Sequence, residues 1–266
     1  MFKDPHAVDK FKWFVEKYKS KTVFETGTYL GESVDYLIKY FDYVITCEVD
    51  EEFFNKSCER FKNKLGFKET KYSKKIKRYD KDEKSIWIFW ESSEIVMKKV
   101  FSGKLSNKSE LKFDFPKPYL FYLDAHWDTG GHYWPIKEEL KIIADFPLSD
   151  SKIIIHDFKV PGYAAKKNAW DRAVGAWGYD CYEGQDLDYD FVKEELFEIN
   201  SGMLTFFNDK VTDAHCGRGI AYCVPIEEQD YDEYLTFNRG KPPIKINPIE
   251  ERKINEKSKR YKYNIR

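Results

Sequence analysis

The segment Glu25-Thr26-Gly27-Thr28-Tyr29-Leu30-Gly31-Glu32-Ser33, called the glycine loop below, lies near the start of the 266-residue chain. A short apolar run, residues 21–25, precedes it, and a helical pattern, residues 33–41, follows it. Glycines let a backbone turn sharply and approach a ligand without a Cβ in the way. The loop therefore predicts a strand–turn–helix unit that can hold a ligand. It lacks the complete G-x-G-x-x-G pattern, which disfavours a nicotinamide or flavin site.

The alternation of apolar strands and helices continues along the chain. Strands are predicted at residues 21–25, 43–48, 85–90, 119–123 and 152–156, and helices at 5–18, 33–41, 50–61, 94–101 and 136–144. Strands that are apolar throughout and alternate with helices indicate a parallel sheet covered on both faces. Two further strands, 203–207 and 219–224, are separated only by a short polar loop and predict an antiparallel pair. The predicted fold class is α/β.

Composition excludes several classes of protein. Aromatic residues make up 18% of the chain and the net charge is −1, which argues against disorder. The longest apolar runs are far shorter than the ~20 residues that cross a bilayer, and no apolar signal region opens the chain, so a cytoplasmic protein is expected. Five cysteines without a C-x-x-C pair argue against a disulfide framework or a zinc knuckle.

The chain is expected to form one domain, residues 1–238, followed by a basic arm, residues 239–266. Residues 160–190 are rich in Trp, Tyr, Gly and Asp and are interpreted as an insertion or lid over the substrate. A second basic stretch, residues 56–78, carries ten Lys and Arg against two acids and is interpreted as a solvated helix face. No nucleic-acid-binding signature accompanies these charges. The arm could lie on the surface or on a partner subunit of a homo-oligomer.

An acidic residue stands at the end of each of the five predicted parallel strands: Glu25, Glu48, Glu91, Asp124 and Asp157. Open parallel sheets bind ligands beyond the carboxyl ends of their strands, so these acids are predicted to lie around one site. Glu48 follows Glu25 by 23 residues, at the position where a carboxylate can accept hydrogen bonds from both hydroxyls of a ribose. An adenosine-type cofactor is therefore indicated.

These motifs together resemble class I, Rossmann-like methyltransferases that use S-adenosylmethionine. The resemblance rests on the glycine loop, Cys47-Glu48-Val49-Asp50, Trp90-Glu91-Ser92-Ser93, Leu123-Asp124-Ala125-His126-Trp127 and His156-Asp157-Phe158. The resemblance covers about residues 22–160. Within these methyltransferases, the sequence most resembles the macrocin O-methyltransferase and cephalosporin hydroxylase-like group. It implies a mainly parallel seven-stranded sheet with helices on both faces and a C-terminal antiparallel strand pair.

The resemblance also implies roles for individual residues. The cofactor is expected to be held by Glu25, Gly27, Thr28, Gly31 and Ser33 at its methionine part, by Glu48 at the ribose, by Glu91 and Ser92 at adenine, and by Asp124. Some members bind a divalent metal, Mg²⁺ first, at positions matching Asp124 and Asp157. Here His156-Asp157 stands where an Asp-Asp pair is usual, so the metal is left open, and histidines at 126 or 156 would favour a transition metal.

Methyl transfer to a hydroxyl needs a base of near-neutral pKa. His126 is the first candidate, aided by Asp124, and His156 the second. The acceptor is expected to be a hydroxyl of a sugar, a glycan or another small hydroxylated metabolite, on which Trp127, Tyr133 or Trp134 could stack.

Two alternatives remain. One is a nucleotide-sugar glycosyltransferase with Asp124-Ala-His126 or Asp186-Leu-Asp188 as its metal motif. The other is a hydroxylase or binding protein of the same fold.

Overall fold

The computed structural model describes residues 2, 4–71, 73–103, 113–125, 134–161, 165–166, 177–178, 181–182, 185–208 and 219–225. Their helices are α1 (Pro5–Tyr18), α2 (Glu32–Leu37), α3 (Glu51–Asn63), α4 (Ser93–Phe101), α5 (Ile136–Asp145) and α6 (Tyr189–Ile199). Their longer strands are β1 (Thr22–Thr26), β2 (Tyr43–Glu48), β3 (Lys68–Lys71), β4 (Ile76–Lys81), β5 (Lys84–Trp90), β6 (Tyr119–Leu123) and β7 (Lys152–Ile155). Four two-residue strands follow: β8 (Ala165–Lys166), β9 (Trp177–Gly178), β10 (Cys181–Tyr182) and β11 (Gln185–Asp186). β12 (Met203–Phe207) and β13 (Ala221–Pro225) complete the set.

The main sheet has nine strands in the order β12-β13-β7-β6-β1-β2-β5-β4-β3. β1 lies at its centre and pairs in parallel with both β2 and β6. β13 runs antiparallel between β7 and β12, which confirms the predicted C-terminal antiparallel pair. A parallel centre with one reversed strand near one edge is the Rossmann-like methyltransferase arrangement, so the predicted fold class is confirmed.

The predicted number of seven strands is wrong, because β3 and β4 form a hairpin that pairs antiparallel with β5. This hairpin begins within the basic stretch 56–78, and the interpretation of that stretch as a solvated helix face is wrong from β3 onward. In β4 the buried Ile76 and Tyr79 flank two cationic residues whose charged groups lie over aromatic rings. Lys77 lies over Phe54 at 5.4 Å and Arg78 over the Trp87 ring at 5.2 Å. A cation over the face of an aromatic ring is attracted to it, so a charged sequence forms a packed strand.

Helices cover both faces of the sheet, as the apolar strands predict. All five residues of β1 and all five of β6 are buried. One core contains buried side chains of α1, α2 and α3, among them Phe11, Val34 and Phe54. The opposite core contains those of α4, α5 and α6, among them Met97, Leu140 and Leu196.

Aspartates cap the starts of several helices. The Asp4 carboxylate accepts a hydrogen bond from the backbone N–H of Ala7 at 3.3 Å, which agrees with the predicted opening helix. Asp50 accepts from the backbone N–H groups of Glu52 and Phe53 and so starts α3 directly after β2. These caps satisfy N–H groups that have no partner inside the helix. No helix in the described part of the chain is long and apolar enough to cross a membrane.

Candidate functional site

The glycine loop leaves the carboxyl end of β1, where the chain connections diverge. After β1 the chain continues to β2 on one side, and only later returns to form β6 on the other side. The segments that follow β1 and β6 therefore border a crevice at the carboxyl edge of the sheet. Open α/β sheets bind ligands at such a switch point.

The backbone conformation of the loop requires both of its glycines. Gly27 has a φ of +79°, and a Cβ on it would lie 2.9 Å from the carbonyl oxygen of Asp124. Gly31 has a φ of +69°, and a Cβ on it would lie 2.9 Å from a ring carbon of Phe61. Other residues rarely adopt such φ values, and there is no room for their side chains. The loop is thus packed between the segment after β6 and helix α3.

Backbone and hydroxyl contacts attach the loop to the end of β2. The Thr28 N–H and hydroxyl both donate to the carbonyl oxygen of Cys47 at 3.0 Å. The Thr28 hydroxyl also contacts the hydroxyl of Thr46. The Tyr29 N–H donates to Glu48 Oε2 at 2.7 Å. The structure therefore brings together the glycine loop and the strand-two acid that the sequence singled out.

The Glu48 side chain is 8% exposed and accepts two backbone hydrogen bonds. Oε2 accepts from Tyr29, and Oε1 accepts from the Asp50 N–H at 3.0 Å. Burial raises the pKa of Glu48, and these backbone donors partly offset the rise. A carboxylate offers about four acceptor positions, so each oxygen keeps capacity for a further donor. Glu48 is suited to accept hydrogen bonds from a ligand lying in the crevice.

Glu25 and Ser33 lie beneath the loop. The Glu25 side chain is fully buried, and the Thr46 hydroxyl donates to its Oε2 at 2.7 Å. Burial raises the pKa of Glu25 to about 8, although hydrogen bonds from Ser33 and Thr46 act in the opposite direction. Glu25 therefore supports the glycine loop from the interior of the protein.

Glu91 and Ser92 connect β5 to α4 beside Glu48. The Glu91 N–H donates to the Glu48 carbonyl oxygen at 3.1 Å, so the segments after β2 and β5 lie side by side. The Glu91 carboxylate extends toward Lys75 and Lys99, with Oε2 at 3.5 and 3.7 Å from their Nζ atoms. Ser92 is the residue immediately before the first turn of α4.

Three large apolar side chains near this edge are exposed, and the sequence did not single them out. They are Tyr29 in the glycine loop, Val49 after β2 and Ile95 in the first turn of α4, with exposures of 56%, 53% and 41%. Single exposed apolar residues are ordinary. These three lie in the segments after three neighbouring strands, next to Glu48 and Glu91, so the crevice has apolar surface beside its carboxylates.

Asp124, His156 and Asp157 form a second group, after β6 and β7. His156 Nδ1 is 2.8 Å from Asp124 Oδ1 and 3.4 Å from Asp157 Oδ1. One nitrogen or oxygen atom from each of the three residues lies within 4.8 Å of the others. Asp157 has a φ of +53°, a strained value for a residue with a Cβ, and such strain is often found at functional sites. The group could hold a metal or an oriented imidazole.

Asp124 is fixed from two sides. Its N–H donates to Thr26 Oγ1 at 3.1 Å, and the Tyr122 hydroxyl donates to its Oδ2 at 3.2 Å. Since Thr26 ends β1, the Asp124 group is linked to the start of the glycine loop. The acids that the sequence placed at successive strand ends thus border one crevice.

Glu139, in the first turn of α5, is a further acid that the sequence did not single out. Its side chain is fully buried, and the Ser93 hydroxyl donates to Oε1 at 2.5 Å. Burial raises its pKa to about 8, and hydrogen bonds from Ser93 and Thr26 act against that rise. An acid in a helix ordinarily faces water, so its sequence context gave no sign of burial.

Several predicted residues lie outside the described residues: His126, the first candidate base, with Trp127 and Tyr133. Trp134 is described and packs edge-on against Phe191 of α6 at 5.6 Å. The arm at residues 239–266 and most of the insertion at 160–190 also fall outside the described part.

The acids of the alternative motif Asp186-Leu-Asp188 have structural partners. Asp186 pairs with Lys159 at 2.5 Å. Asp188 caps α6 by accepting the Phe191 N–H at 3.0 Å.

No protein-family model and no curated protein sequence matches the chain. Its structure is similar to an O-methyltransferase from Bacillus cereus in complex with SAH, at 12% identity and a TM-score of 0.48, covering 84% of this chain and 81% of that one. It is also similar to the O-methyltransferase TomG from Streptomyces achromogenes in complex with SAM, at 11% identity and a TM-score of 0.47, covering 81% and 77%. A third similar structure is SAH-bound PaMTH1 of Podospora anserina, at 16% identity and a TM-score of 0.42, covering 81% and 76%. These distant likenesses concern the course of the chain, and the macrocin-like group stays a prediction.

We expect Gly27→Ala to lower the free energy of unfolding by about 3 kcal/mol, because alanine would meet both an unfavourable φ and the Asp124 carbonyl. Gly103 is a matched control: its φ is +68° and nothing lies within 4 Å of an added Cβ. Gly103→Ala should cost only about 1 kcal/mol. Urea unfolding measures both values. Equal losses would contradict the close contact between the glycine loop and Asp124.

The raised pKa of Glu139 predicts a pH-dependent stability. The folded protein keeps this proton up to about pH 8, whereas the unfolded chain releases it near pH 4.5, so unfolding releases a proton between these values. The free energy of unfolding should therefore fall as pH rises from 4.5 to 8, and Glu139→Gln should flatten that fall. Chemical unfolding at several pH values measures the slope. Glu138→Gln is the control, because this neighbouring side chain is 38% exposed, and it should leave the slope unchanged. If Glu139→Gln also leaves the slope unchanged, the prediction is refuted.

Proposed function

We propose that the chain is an S-adenosylmethionine-dependent O-methyltransferase acting on a hydroxyl of a sugar, a glycan or another small hydroxylated metabolite. The observation that carries the proposal is the arrangement around Glu48. A nearly buried carboxylate, fixed to the glycine loop by the Tyr29 N–H, lies beside exposed Val49. A carboxylate next to apolar surface suits a ribose attached to a flat adenine ring.

In this proposal the predicted cofactor residues either border the ligand or support the glycine loop from beneath. Gly27, Thr28 and Gly31 shape the loop along the methionine part, and Glu48 accepts the ribose hydroxyls. Glu91 and Ser92, with the newly identified Val49 and Ile95, border the adenine. Glu25 and Ser33 act from beneath, because Glu25 is fully buried.

When bound, S-adenosylmethionine supplies a methyl group that is already activated on a sulfonium. The protein must then hold the acceptor oxygen in line with that methyl and take up its proton. Asp124, His156 and Asp157 lie across the switch point from Glu48 and are proposed to handle the acceptor. His126 remains the proposed base, and the segment that carries it directly follows Asp124 and Ala125.

The donor set of this group is suited to a divalent metal. Two carboxylates and one imidazole can meet at one ion, since their ligand atoms lie within 4.8 Å of one another. An imidazole in the set favours Mn²⁺ over the Mg²⁺ that an all-oxygen set would prefer. A metal there would orient the acceptor hydroxyl and lower its pKa. Without a metal, His156 held by Asp124 is the alternative base.

The proposed lid is supported by the way the insertion is anchored. The Lys159 N–H donates to the Leu187 carbonyl oxygen at 2.7 Å, and Lys159 also pairs with Asp186. The two ends of the insertion therefore meet just after His156 and Asp157. A segment that leaves and returns at this point is suited to cover the acceptor.

S-adenosylhomocysteine should raise the melting temperature of the protein, because a ligand of the folded state stabilises it by mass action. Val49→Asp should weaken this ligand by about tenfold or more, since it places a charge on the apolar surface proposed for adenine. Val49 is half-exposed, so the variant is expected to fold normally. Val49→Leu is the matched control and should bind normally. Stabilisation by UDP-glucose or NAD, with no response to S-adenosylhomocysteine, would overturn the proposed function.

Titration with Mn²⁺, followed by electron paramagnetic resonance, should detect one bound ion per chain. Asp124→Asn and Asp157→Asn should each abolish that binding, because each removes a charged ligand. Asp157→Asn should still respond to S-adenosylhomocysteine, because Asp157, unlike Asp124, is not among the predicted cofactor residues. If both variants bind Mn²⁺ as well as the wild type does, or if the wild type binds none, the metal proposal is rejected. His156 is then the candidate base among the described residues.

A further inference from the structure

A cavity of about 270 Å³ lies one strand outward from the cofactor crevice. It is formed by the turn between β3 and β4, the end of β5, and helix α4. Its lining includes Glu91 and no residue of the glycine loop, of the Glu48 segment or of the Asp124 group. The cavity therefore meets the crevice only at Glu91, and it depends on the β3–β4 hairpin that the sequence did not predict.

The rim of the cavity is cationic. Lys74, Lys75 and Lys99 line it, and Glu91 is the single acid among the lining residues. Glu91 Oε2 lies 3.5 Å from Lys75 Nζ and 3.7 Å from Lys99 Nζ. Strong charge-assisted hydrogen bonds are about 2.7–2.9 Å long, so both lysines pair only weakly with Glu91. Three ammonium groups against one carboxylate leave an excess of two positive charges.

The floor of the cavity is apolar. Ile76 and Phe89 line it and are themselves 6% and 1% exposed. Ser73 stands at the rim, where its hydroxyl oxygen accepts the Lys75 N–H at 3.1 Å and its own hydrogen can turn toward a ligand. The volume is slightly below the ~300–1,000 Å³ usual for whole drug-sized ligands. The cavity therefore suits a small apolar body that carries an anionic group.

We propose that this cavity binds an organic phosphate monoester, with its phosphate among Lys74, Lys75 and Lys99 and its apolar body on Ile76 and Phe89. A phosphate monoester carries a charge of about −1.5 to −2 at pH 7, which matches the excess of two positive charges. Its oxygens can accept from three ammonium groups and one hydroxyl. This site adjoins the proposed cofactor site at Glu91 and shares no other proposed cofactor or acceptor residue, and it does not depend on the proposed function.

Phenyl phosphate is the probe, titrated by isothermal calorimetry into protein saturated with S-adenosylhomocysteine and into free protein. We expect one site, with at least tenfold weaker binding of inorganic phosphate, which lacks the apolar body, and of benzoate, which carries a single charge. Equal affinity for all three, or no binding of phenyl phosphate, would overturn the proposal. Competition between phenyl phosphate and S-adenosylhomocysteine would also overturn it, because the two would then share one site.

Two variants should change the affinity for phenyl phosphate in opposite directions. The double variant Lys75→Gln with Lys99→Gln should weaken it by at least about tenfold, because two charged donors are lost. Glu91→Gln should strengthen it by removing the acid that holds both lysines. Lys62→Gln is the matched control, because Lys62 is exposed on α3 and does not line the cavity. An equal loss of phenyl phosphate affinity in Lys62→Gln, or weaker binding in Glu91→Gln, would show that the phosphate is attracted to the basic surface in general. Either result would reject the site.

Discussion

The carboxylate of Glu48 imposes the constraint on which the crevice depends. A charged group that is 8% exposed must receive hydrogen bonds, and the available donors are backbone N–H groups of Tyr29 and Asp50. Leaving an ionised carboxylate buried and unpaired costs far more than the ~2–7 kcal/mol of an unpaired amide or hydroxyl. The glycine loop therefore has to pass over the end of β2 in one conformation. The Tyr29 carbonyl then accepts the Ser57 hydroxyl at 2.7 Å, which extends the same constraint to α3.

Beneath the loop, buried carboxyl groups act differently. With pKa values raised to about 8, Glu25 and Glu139 keep their protons at neutral pH and behave as neutral hydrogen-bonding groups. Both interact with threonine or serine hydroxyls at the ends of β1 and β2 and the start of α4. The base of the crevice is thereby built from neutral polar contacts.

The α/β class and the acids around the crevice could be predicted because they rest on local signals. Apolar strands alternate with helices, and each acid directly follows a strand. The β3–β4 hairpin could not be predicted, since its cationic residues resemble a solvated surface in sequence but pack their charged groups over aromatic rings. The exposure of Val49 and the burial of Glu139 depend on contacts between distant elements. A valine after a strand and a glutamate in a helix look ordinary in sequence, and only the packed neighbours decide which of them faces water.

The β3–β4 hairpin also determines which strand ends the sheet. Without it, β5 with its run Ser85-Ile86-Trp87-Ile88-Phe89-Trp90 would expose unpaired backbone groups along an apolar, aromatic edge. Such edges recruit strands from other molecules and promote aggregation. The strand that takes this position instead, β3, is four residues long and reads Lys68-Glu69-Thr70-Lys71. Its brevity and charge make it a poor template for another chain, so the hairpin replaces an edge prone to pairing with one that is not.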